Sequence, residues 1–264
     1  MTLRLVHLSD IHFGGEHLAA VAGTAAWIAR HRPDLAIITG DVTREGDERE
    51  FAAARTWIKG LPVDSVIVPG NHDTPYFNVL HRLVSPWRRY ERNFGPLSRD
   101  AVHRPGLAIA QVNTARGVQL RANWSKGAIS KRQVDAAIRS LAPTPPGALK
   151  IVACHHPLVE MIGGPMSGQV HGGHDAAVAL SNARVDLVLT GHVHAPFALP
   201  YPGGDGRTWA IGASTLSVRE RGAPIGFNCI EVEAEVVRVT ALGWTGSHFD
   251  PWRTWSIDRR PAAG

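Results

Sequence analysis

Apolar, β-branched runs alternate along most of the chain with segments in which apolar residues recur at helical spacing. The runs predict strands at residues 3–8, 35–39, 63–68, 107–112, 149–153 and 185–190. The segments between them predict helices at about residues 16–31, 47–59, 76–92, 130–141 and 174–183. Beyond residue 207 strands follow one another, at 207–212, 225–232 and 236–244. Alternation followed by a strand-only region predicts an α/β fold, a layered sandwich with mixed sheets.

The punctuation between these elements predicts one domain over residues 1–264. Ser130 is a candidate N-cap for the fourth helix. The Pro/Gly stretch at 143–147 predicts a loop, and the glycine-rich segment 161–173 predicts a long loop beside the functional site. Tryptophans in the last twenty residues predict a C-terminal tail, at about 245–264, that packs on the domain.

Composition excludes several classes of protein. Hydrophobic residues make up 44% of the chain and charged residues 19%, which suits a domain with a buried core. The apolar runs fall short of the roughly 20 residues that a membrane-spanning helix needs. We expect a cytoplasmic protein, because the N-terminal residues resemble no secretion signal and the cysteines, Cys154 and Cys229, are few and far apart.

The net charge of +5 does not by itself predict a nucleic-acid partner, since most basic residues are scattered. One local concentration comprises Arg82, Arg88, Arg89 and Arg92. We interpret it first as a solvated helix face, with a rim that attracts an anionic substrate as the alternative. We expect a small-molecule substrate, no nucleic acid and no membrane span, and a homodimer is left open.

Candidate metal ligands follow five of the apolar runs, each at the point where the predicted strand ends. They are Asp10 and His12, then Asp41, then Asn71 with His72 and Asp73, then His155 beside His156, and finally His192 and His194. Open α/β sheets bind their ligands at the carboxyl ends of strands. The sequence therefore predicts one site assembled from five strand ends.

Two of the pairs, Asp10 with His12 and His192 with His194, are spaced two residues apart. On an extended backbone such residues point to the same side, so each pair could reach one ion or two adjacent ions. A glycine precedes three of the groups and would allow the chain to turn tightly there; these are Gly40, Gly70 and Gly191.

The ligand set mixes histidine, aspartate and asparagine without a thiolate, which suits Mn²⁺, Fe or Zn²⁺. The number of candidates exceeds what one ion needs and fits two ions that share a carboxylate. Any single motif of this kind could be an ordinary turn or a hydrogen-bonded core histidine. Their occurrence together, in order and each at a strand end, argues against that purely structural interpretation.

Taken together, the motifs DIH, GD, GNHD, CHHP and GHVH resemble those of the calcineurin-like metallophosphoesterases from Asp10 to His194. Within that superfamily the chain looks most like the small bacterial class III cyclic-nucleotide phosphodiesterases and related glycerophosphodiesterases. These share the H-H-P form of the fourth motif and a string like that from Gly127 to Gln133. The resemblance implies a four-layer αββα sandwich, with two mixed β-sheets flanked by helices.

The resemblance also implies roles for the site residues. One ion would be held by Asp10, His12 and His194, the other by Asn71, His155 and His192, and Asp41 would bridge them. His72 would contact the phosphate with Asn71 and protonate the leaving group, while Asp73 would orient His72. His156 would be a packing residue or would support the ligands without binding metal itself.

These roles imply a dinuclear phosphodiesterase that acts on small phosphodiesters, with a cyclic nucleotide as leading candidate. A metal-bridging hydroxide would attack phosphorus in line, because two divalent ions beside two carboxylates lower the pKa of water. Other activities of the superfamily stay open: a phosphomonoesterase, a diphosphate hydrolase or a nuclease, or else a non-catalytic scaffold.

Two further features have competing interpretations. Cys154, next to His155, could suggest a cysteine phosphatase, but neighbours on a strand face opposite sides, so Cys154 should face the core. His171 and His174 could contact substrate or an additional metal, or could be surface histidines of a glycine-rich loop.

Overall fold

The computed structural model of the protein describes residues 2–76, 79–97, 99–117, 125–160, 170–201 and 205–260. Its strands are β1 (Leu3–Leu8), β2 (Leu35–Thr39), β3 (Ser65–Val68), β4 (Val102–Arg104), β5 (Leu107–Gln111), β6 (Leu149–Ala153), β7 (Leu187–Thr190), β8 (Phe197–Pro200), β9 (Trp209–Gly212), β10 (Gly226–Val232), β11 (Val236–Trp244) and β12 (Phe249–Asp258). Its helices are α1 (Leu18–His31), α2 (Glu48–Gly60), α3 (Val79–Val84), α4 (Arg88–Phe94), α5 (Lys131–Leu141) and α6 (Gly173–Asn182).

The strands form two mixed sheets of six strands each. The order in the first is β12-β11-β10-β1-β2-β3, and in the second β4-β5-β6-β7-β9-β8. Strands β1, β2 and β3 are parallel, as are β5, β6, β7 and β9, while the other pairings are antiparallel. Five of the parallel strands, β1, β2, β3, β6 and β7, lead into candidate ligands. The carboxyl ends of these strands meet at one edge of the molecule.

Alternate residues of the central strands enter different cores. Leu5 of β1 packs between the sheets with Ile151 of β6, whereas the next residue, Val6, packs with Ile28 on the helical side of the first sheet. Helices α5 and α6 cover the outer face of the second sheet, where Val134 packs with Val152. Three cores thus separate four layers, and the predicted αββα sandwich is confirmed.

Local signals explain where two of the helices begin. Asp47 caps α2 and Ser130 caps α5, each in a capping box with the residue three positions later, Glu50 and Gln133. The predicted cap at Ser130 is confirmed. These boxes satisfy main-chain N–H groups that would otherwise lack partners in the first turn.

The single helix expected at 76–92 is wrong, because α3 ends at Val84 and α4 begins at Arg88. Pro86 lies between them and disfavours a helical conformation at the residue before it. Three of the clustered arginines are engaged by the protein: Arg82 donates to the Gly117 carbonyl, Arg89 to the Gly46 carbonyl, and Arg92 to Glu48.

Three strands were not predicted, namely β4, β8 and β12. The last of these lies in the segment expected to be a packed tail and is an edge strand, Phe249–Asp258. Nine of its ten residues pair with β11, and the register shifts at Trp252. Residues 261–264 of that segment lie outside the described part. None of the described helices is long and apolar enough to cross a membrane.

Candidate metal centre

The predicted ligands come together where the carboxyl ends of the parallel strands of both sheets meet. Strands β1, β2 and β3 lead into the motifs of the first sheet, and β6 and β7 lead into those of the second. Asp10, His12, Asp41 and His155 are each at most 2% exposed. Such buried charged and polar side chains need partners, because water cannot solvate them there.

The backbone at these residues differs from our expectation. We expected an extended chain, but five of the seven described non-glycine residues with positive φ are predicted ligands: Asp10 (51°), His12 (52°), Asp41 (48°), His192 (69°) and His194 (57°). L-residues seldom adopt this left-handed conformation, and those that do tend to cluster at functional sites. The paired ligands therefore converge through tight turns after the strands, and not through strand periodicity.

The preceding glycines have two different functions. Gly40 has a φ of 89°, so it provides the turn that we expected. At Gly70 a Cβ atom would overlap the Asp41 carboxylate, and at Gly191 it would overlap the Ser9 hydroxyl. These two positions thus need glycine because another chain segment passes close by.

Four histidine rings share one orientation, in which Nδ1 bonds to a main-chain carbonyl. The pairs are His12 with Thr43 (3.3 Å), His72 with Arg44 (2.6 Å), His155 with Thr39 (2.7 Å) and His194 with Arg219 (2.7 Å). A carbonyl only accepts, so Nδ1 carries the proton and donates it. In the neutral ring Nε2 then keeps a lone pair, which is the arrangement that a histidine ligand requires.

The first group of ligand atoms surrounds Asp10. Its Oδ1 lies 3.1 Å from Nε2 of His194 and 3.8 Å from Nε2 of His12. The two Nε2 atoms are 3.4 Å apart. Three potential ligand atoms therefore lie close enough together to share one ion.

The second group surrounds Asp41. Its Oδ2 lies 3.3 Å from Nε2 of His155 and 3.9 Å from Nε2 of His12, so this oxygen lies between the two groups. Asp10, Asp41 and His155 could also hold an ion together. The other oxygen of Asp41, Oδ1, accepts a hydrogen bond of 2.8 Å from the backbone N–H of His72.

His192 completes this side of the site. Its backbone N–H donates to Oδ2 of Asp10 over 2.9 Å, and its ring centre is 5.1 Å from that of His155. Burial lowers the pKa of His192 to about 3 and that of His12 to about 4. Both rings are therefore neutral at pH 7 and can donate a lone pair.

Nine buried side-chain polar atoms have no hydrogen-bond partner among the described residues, and three of them lie at this site: Asp10 Oδ1, Asn71 Oδ1 and His155 Nε2. Each would cost about 1–3 kcal/mol if it stayed unsatisfied. All three belong to predicted ligands that come from different strand ends, and all three can bind a cation. The donor set therefore fits metal ions.

The charges of the site also favour the binding of cations. Burial raises the pKa values of Asp10 and Asp41, but the neighbouring histidines outweigh burial and hold both below the ordinary range. Burial lowers the pKa of His155, but Asp41 outweighs it and raises this pKa to about 9, and Asp10 likewise raises that of His194. Two carboxylates thus stay ionised and attract positive charge.

The family model for calcineurin-like phosphoesterases matches residues 3–196, which include every one of these ligands. The chain belongs to this family. It is therefore a phosphoric ester hydrolase of a metal-dependent family, and its histidine and aspartate groups are able to bind metal.

Curated relatives of this phosphoesterase include a probable cyclic nucleotide phosphodiesterase from Synechococcus sp., 23% identical, which covers 94% of this chain and 96% of its own length. Another of that name, from Rhodococcus erythropolis, is 29% identical over 72% of this chain and 64% of its own. The glycerophosphodiester phosphodiesterase GpdQ of Enterobacter lignolyticus is 31% identical, but over only 26% of this chain and 29% of its own.

Solved structures agree on the fold. The chain superposes on PhoD with a TM-score of 0.74 and 12% identity, covering 98% of this chain and 70% of PhoD. The chain superposes on the purple acid phosphatase PPD1 of yellow lupin with a TM-score of 0.73 and 12% identity, covering 98% of this chain. The phosphoesterase spans about half of the lupin protein, 54% of its length.

The adjacent histidines of the fourth motif have different surroundings. Both ring nitrogens of His156 are engaged: Nε2 donates to the Ser125 carbonyl over 2.8 Å, and Nδ1 accepts from Thr114 Oγ1 over 2.9 Å. Burial holds the pKa of His156 well below its usual value. The His156 ring nitrogens lie near those of His155 and His192. Neither nitrogen of His156 has a free lone pair, because one donates its proton and the other accepts a hydrogen bond.

Asp73 does not have the position that we expected. Its carboxylate accepts hydrogen bonds from the backbone of Thr43 (2.8 Å) and Gly70 (2.9 Å) and from the Thr43 hydroxyl (2.8 Å). The His72 ring is held by the Arg44 carbonyl instead. Asp73 thus joins the second and third motifs, and its pKa rises to about 6 through burial and the charge of Asp41.

The remaining candidates are structural or exposed. Cys154 is buried with Val152 in the core under α5 and α6, as expected, and burial raises the pKa of its thiol to about 12. His171 and His174 are exposed, and the His171 backbone pairs with that of Ala128. Most of the glycine-rich loop, residues 161–169, lies outside the described part.

Sequence reasoning missed the residues that orient the rings, namely Thr39, Thr43, Arg44 and Arg219. Each contributes a main-chain carbonyl, which every residue type carries. No sequence signal could therefore have identified them.

Proposed function

We propose that this phosphoesterase is a dinuclear enzyme that hydrolyses small phosphodiesters, with a cyclic nucleotide as the leading candidate substrate. The observation that carries the proposal is the position of Asp41, whose Oδ2 lies 3.3 Å from one ligand group and 3.9 Å from the other. A carboxylate oxygen between two sets of imidazole nitrogens is suited to bridging two cations.

The proposed ligands follow from the two groups. Asp10, His12 and His194 would hold one ion, Asn71, His155 and His192 the other, and Asp41 would bind both. Mn²⁺, Fe and Zn²⁺ all suit this donor set. When bound, the ions would act as Lewis acids that lower the pKa of water and neutralise charge on the phosphate.

His72 would act on the phosphate from beside the ions. Its ring is 4.9 Å from the His12 ring, and its Nδ1 is fixed on the Arg44 carbonyl. In the imidazolium form, in which both ring nitrogens carry a proton, His72 would donate from Nε2 to a phosphate oxygen, and this proton would pass to the leaving oxygen. The Asn71 amide would hold the ion through Oδ1 and the phosphate through Nδ2.

The names of the relatives favour a diester. The curated relatives that cover most of this chain are named probable cyclic nucleotide phosphodiesterases. Cytoplasmic location and a homodimer remain predictions.

The test is a comparison of kcat/KM for bis(p-nitrophenyl) phosphate, p-nitrophenyl phosphate and 3′,5′-cyclic AMP with Mn²⁺ supplied. We expect the diesters to be turned over and the monoester to be a poor substrate. A monoester preference of about tenfold or more, roughly 1.4 kcal/mol, would contradict the diesterase proposal. Failure with cyclic AMP alone would contradict only the cyclic-nucleotide part.

A further inference from the structure

The segment of residues 215–221, named here the rim segment, is attached to both sides of the first ligand group. The Thr215 hydroxyl donates to the Asp10 carbonyl over 2.6 Å, and the Leu216 N–H donates to the same carbonyl over 3.3 Å. At the other side the Arg219 carbonyl accepts the Nδ1 proton of His194. The rim segment therefore follows the edge of the candidate metal centre.

Further hydrogen bonds fix its backbone. The Ser217 N–H donates to the Thr215 hydroxyl (3.0 Å), the Arg219 N–H donates to the Ser217 hydroxyl (3.3 Å), and the Val218 N–H donates to the Gly15 carbonyl (3.3 Å). The residues that follow Ser217 are held close to the centre, although their side chains are exposed.

The rim segment carries two arginines whose side chains have no partner in the part of the chain that the structure describes. Within the described residues, the guanidinium groups of Arg219 and Arg221 make neither an ion pair nor a hydrogen bond. Glu220 lies between them, so the segment has a net charge of +1, two positive charges and one negative. Arg219 branches from backbone that bonds the His194 ring over 2.7 Å, and Arg221 follows two residues later, so both side chains arise at the edge of the first ligand group.

This differs from the arginine cluster of the sequence, where Arg82, Arg89 and Arg92 are engaged by carbonyls or by Glu48. An unpaired guanidinium near a metal centre attracts a diester with net negative charge and repels one that carries a cation beside its phosphate. Selection of this kind acts on binding, since the charge lies on the substrate in its ground state as well as in its transition state.

We propose that Arg219 and Arg221 select diesters of net negative charge, such as cyclic nucleotides, over zwitterionic diesters of choline or ethanolamine. This inference rests on the proposed phosphodiesterase function. It assigns the choice of substrate to a fixed edge of the site.

Two chromogenic diesters test the inference: the p-nitrophenyl ester of thymidine 5′-monophosphate, with net charge of about −1, and p-nitrophenyl phosphorylcholine, with net charge of about zero. We expect the wild type to prefer the first. In the double variant Arg219→Gln/Arg221→Gln the ratio of the two kcat/KM values should fall by roughly tenfold, mainly through KM. The ratio in the wild type should also fall as salt is added.

The matched control is Arg30→Gln, an exposed arginine in the last turn of α1, at the opposite end of the strands from the site. This substitution removes one positive charge, as each substitution of the double variant does. It should leave the ratio of the two kcat/KM values as in the wild type. The metal content of the double variant should also be unchanged, because the Arg219 carbonyl that holds His194 is retained. An unchanged ratio in the double variant would overturn the inference, whereas a wild type inactive on both esters would overturn the proposed function instead.

Discussion

Five of the seven predicted ligands occupy a left-handed backbone conformation that costs roughly 1–2 kcal/mol each for an L-residue. Hydrogen bonds between neighbouring motifs hold it in place: the Asp10 N–H donates to the Gly40 carbonyl and the His12 N–H to the Asp41 carbonyl, both over 3.0 Å. The first two motifs therefore fix one another. These bonds hold the side chains toward the centre, and such preorganisation reduces the cost of binding an ion.

His72 differs from the ligands, because its proposed role is to act on the phosphate rather than to hold an ion. His72→Ala should retain its metal and lose roughly 10²–10³ in kcat, the scale of removing one transition-state donor. Steady-state kinetics and elemental analysis of the same preparation measure both quantities.

The control is His248→Ala, an exposed histidine in the turn before β12. It should match the wild type in both measurements. Full activity in His72→Ala would remove this residue from the mechanism, and loss of metal would mean that it acts as a ligand.

The elements that the hydrophobic pattern predicted best are the buried ones that lead into the site. The predictions at 3–8, 35–39 and 149–153 agree with β1, β2 and β6, because these central strands are apolar on both faces. The pattern did not reveal β12, whose residues are largely exposed and include Pro251. An edge strand of this kind is defined by pairing with its neighbour, and this depends on tertiary structure.

The end of β6 presents two adjacent histidines, of which we propose that only His155 binds metal. His155→Ala should therefore lose metal and activity. His156→Ala should retain metal, because both of its ring nitrogens are engaged by Ser125 and Thr114. Equal metal loss in the two variants, with folding verified by circular dichroism, would contradict this assignment.

The turn after β3 requires glycine at position 70, because a Cβ atom there would overlap the Asp41 carboxylate. Gly70→Ala should displace Asp41, reduce metal content and destabilise the protein by about 1–3 kcal/mol. Gly60→Ala is the matched control, since nothing lies within 4 Å of its added methyl group. Normal metal content in Gly70→Ala would show that the close approach does not position the bridging carboxylate.

At the scale of the whole molecule, the site exists because two sheets direct their parallel strands to one edge. The candidate ligands could be predicted because each follows a strand, and the order of motifs then indicated the family. The contacts between motifs could not be predicted. The Asp73 carboxylate joins Thr43 to Gly70, and the Arg219 carbonyl holds His194, across separations that only the folded chain brings together.

The most direct test of the dinuclear centre is a titration of metal-stripped protein with Mn²⁺, followed by hydrolysis of bis(p-nitrophenyl) phosphate and by electron paramagnetic resonance. Activity should rise with the second equivalent of metal, together with the signal of a spin-coupled pair, because Asp41 would join two ions. Asp41→Asn should lose the coupled signal, while Asp135→Asn, on the exposed face of α5, should keep it. Full activity at about one ion per chain, without a coupled signal, would contradict the dinuclear centre.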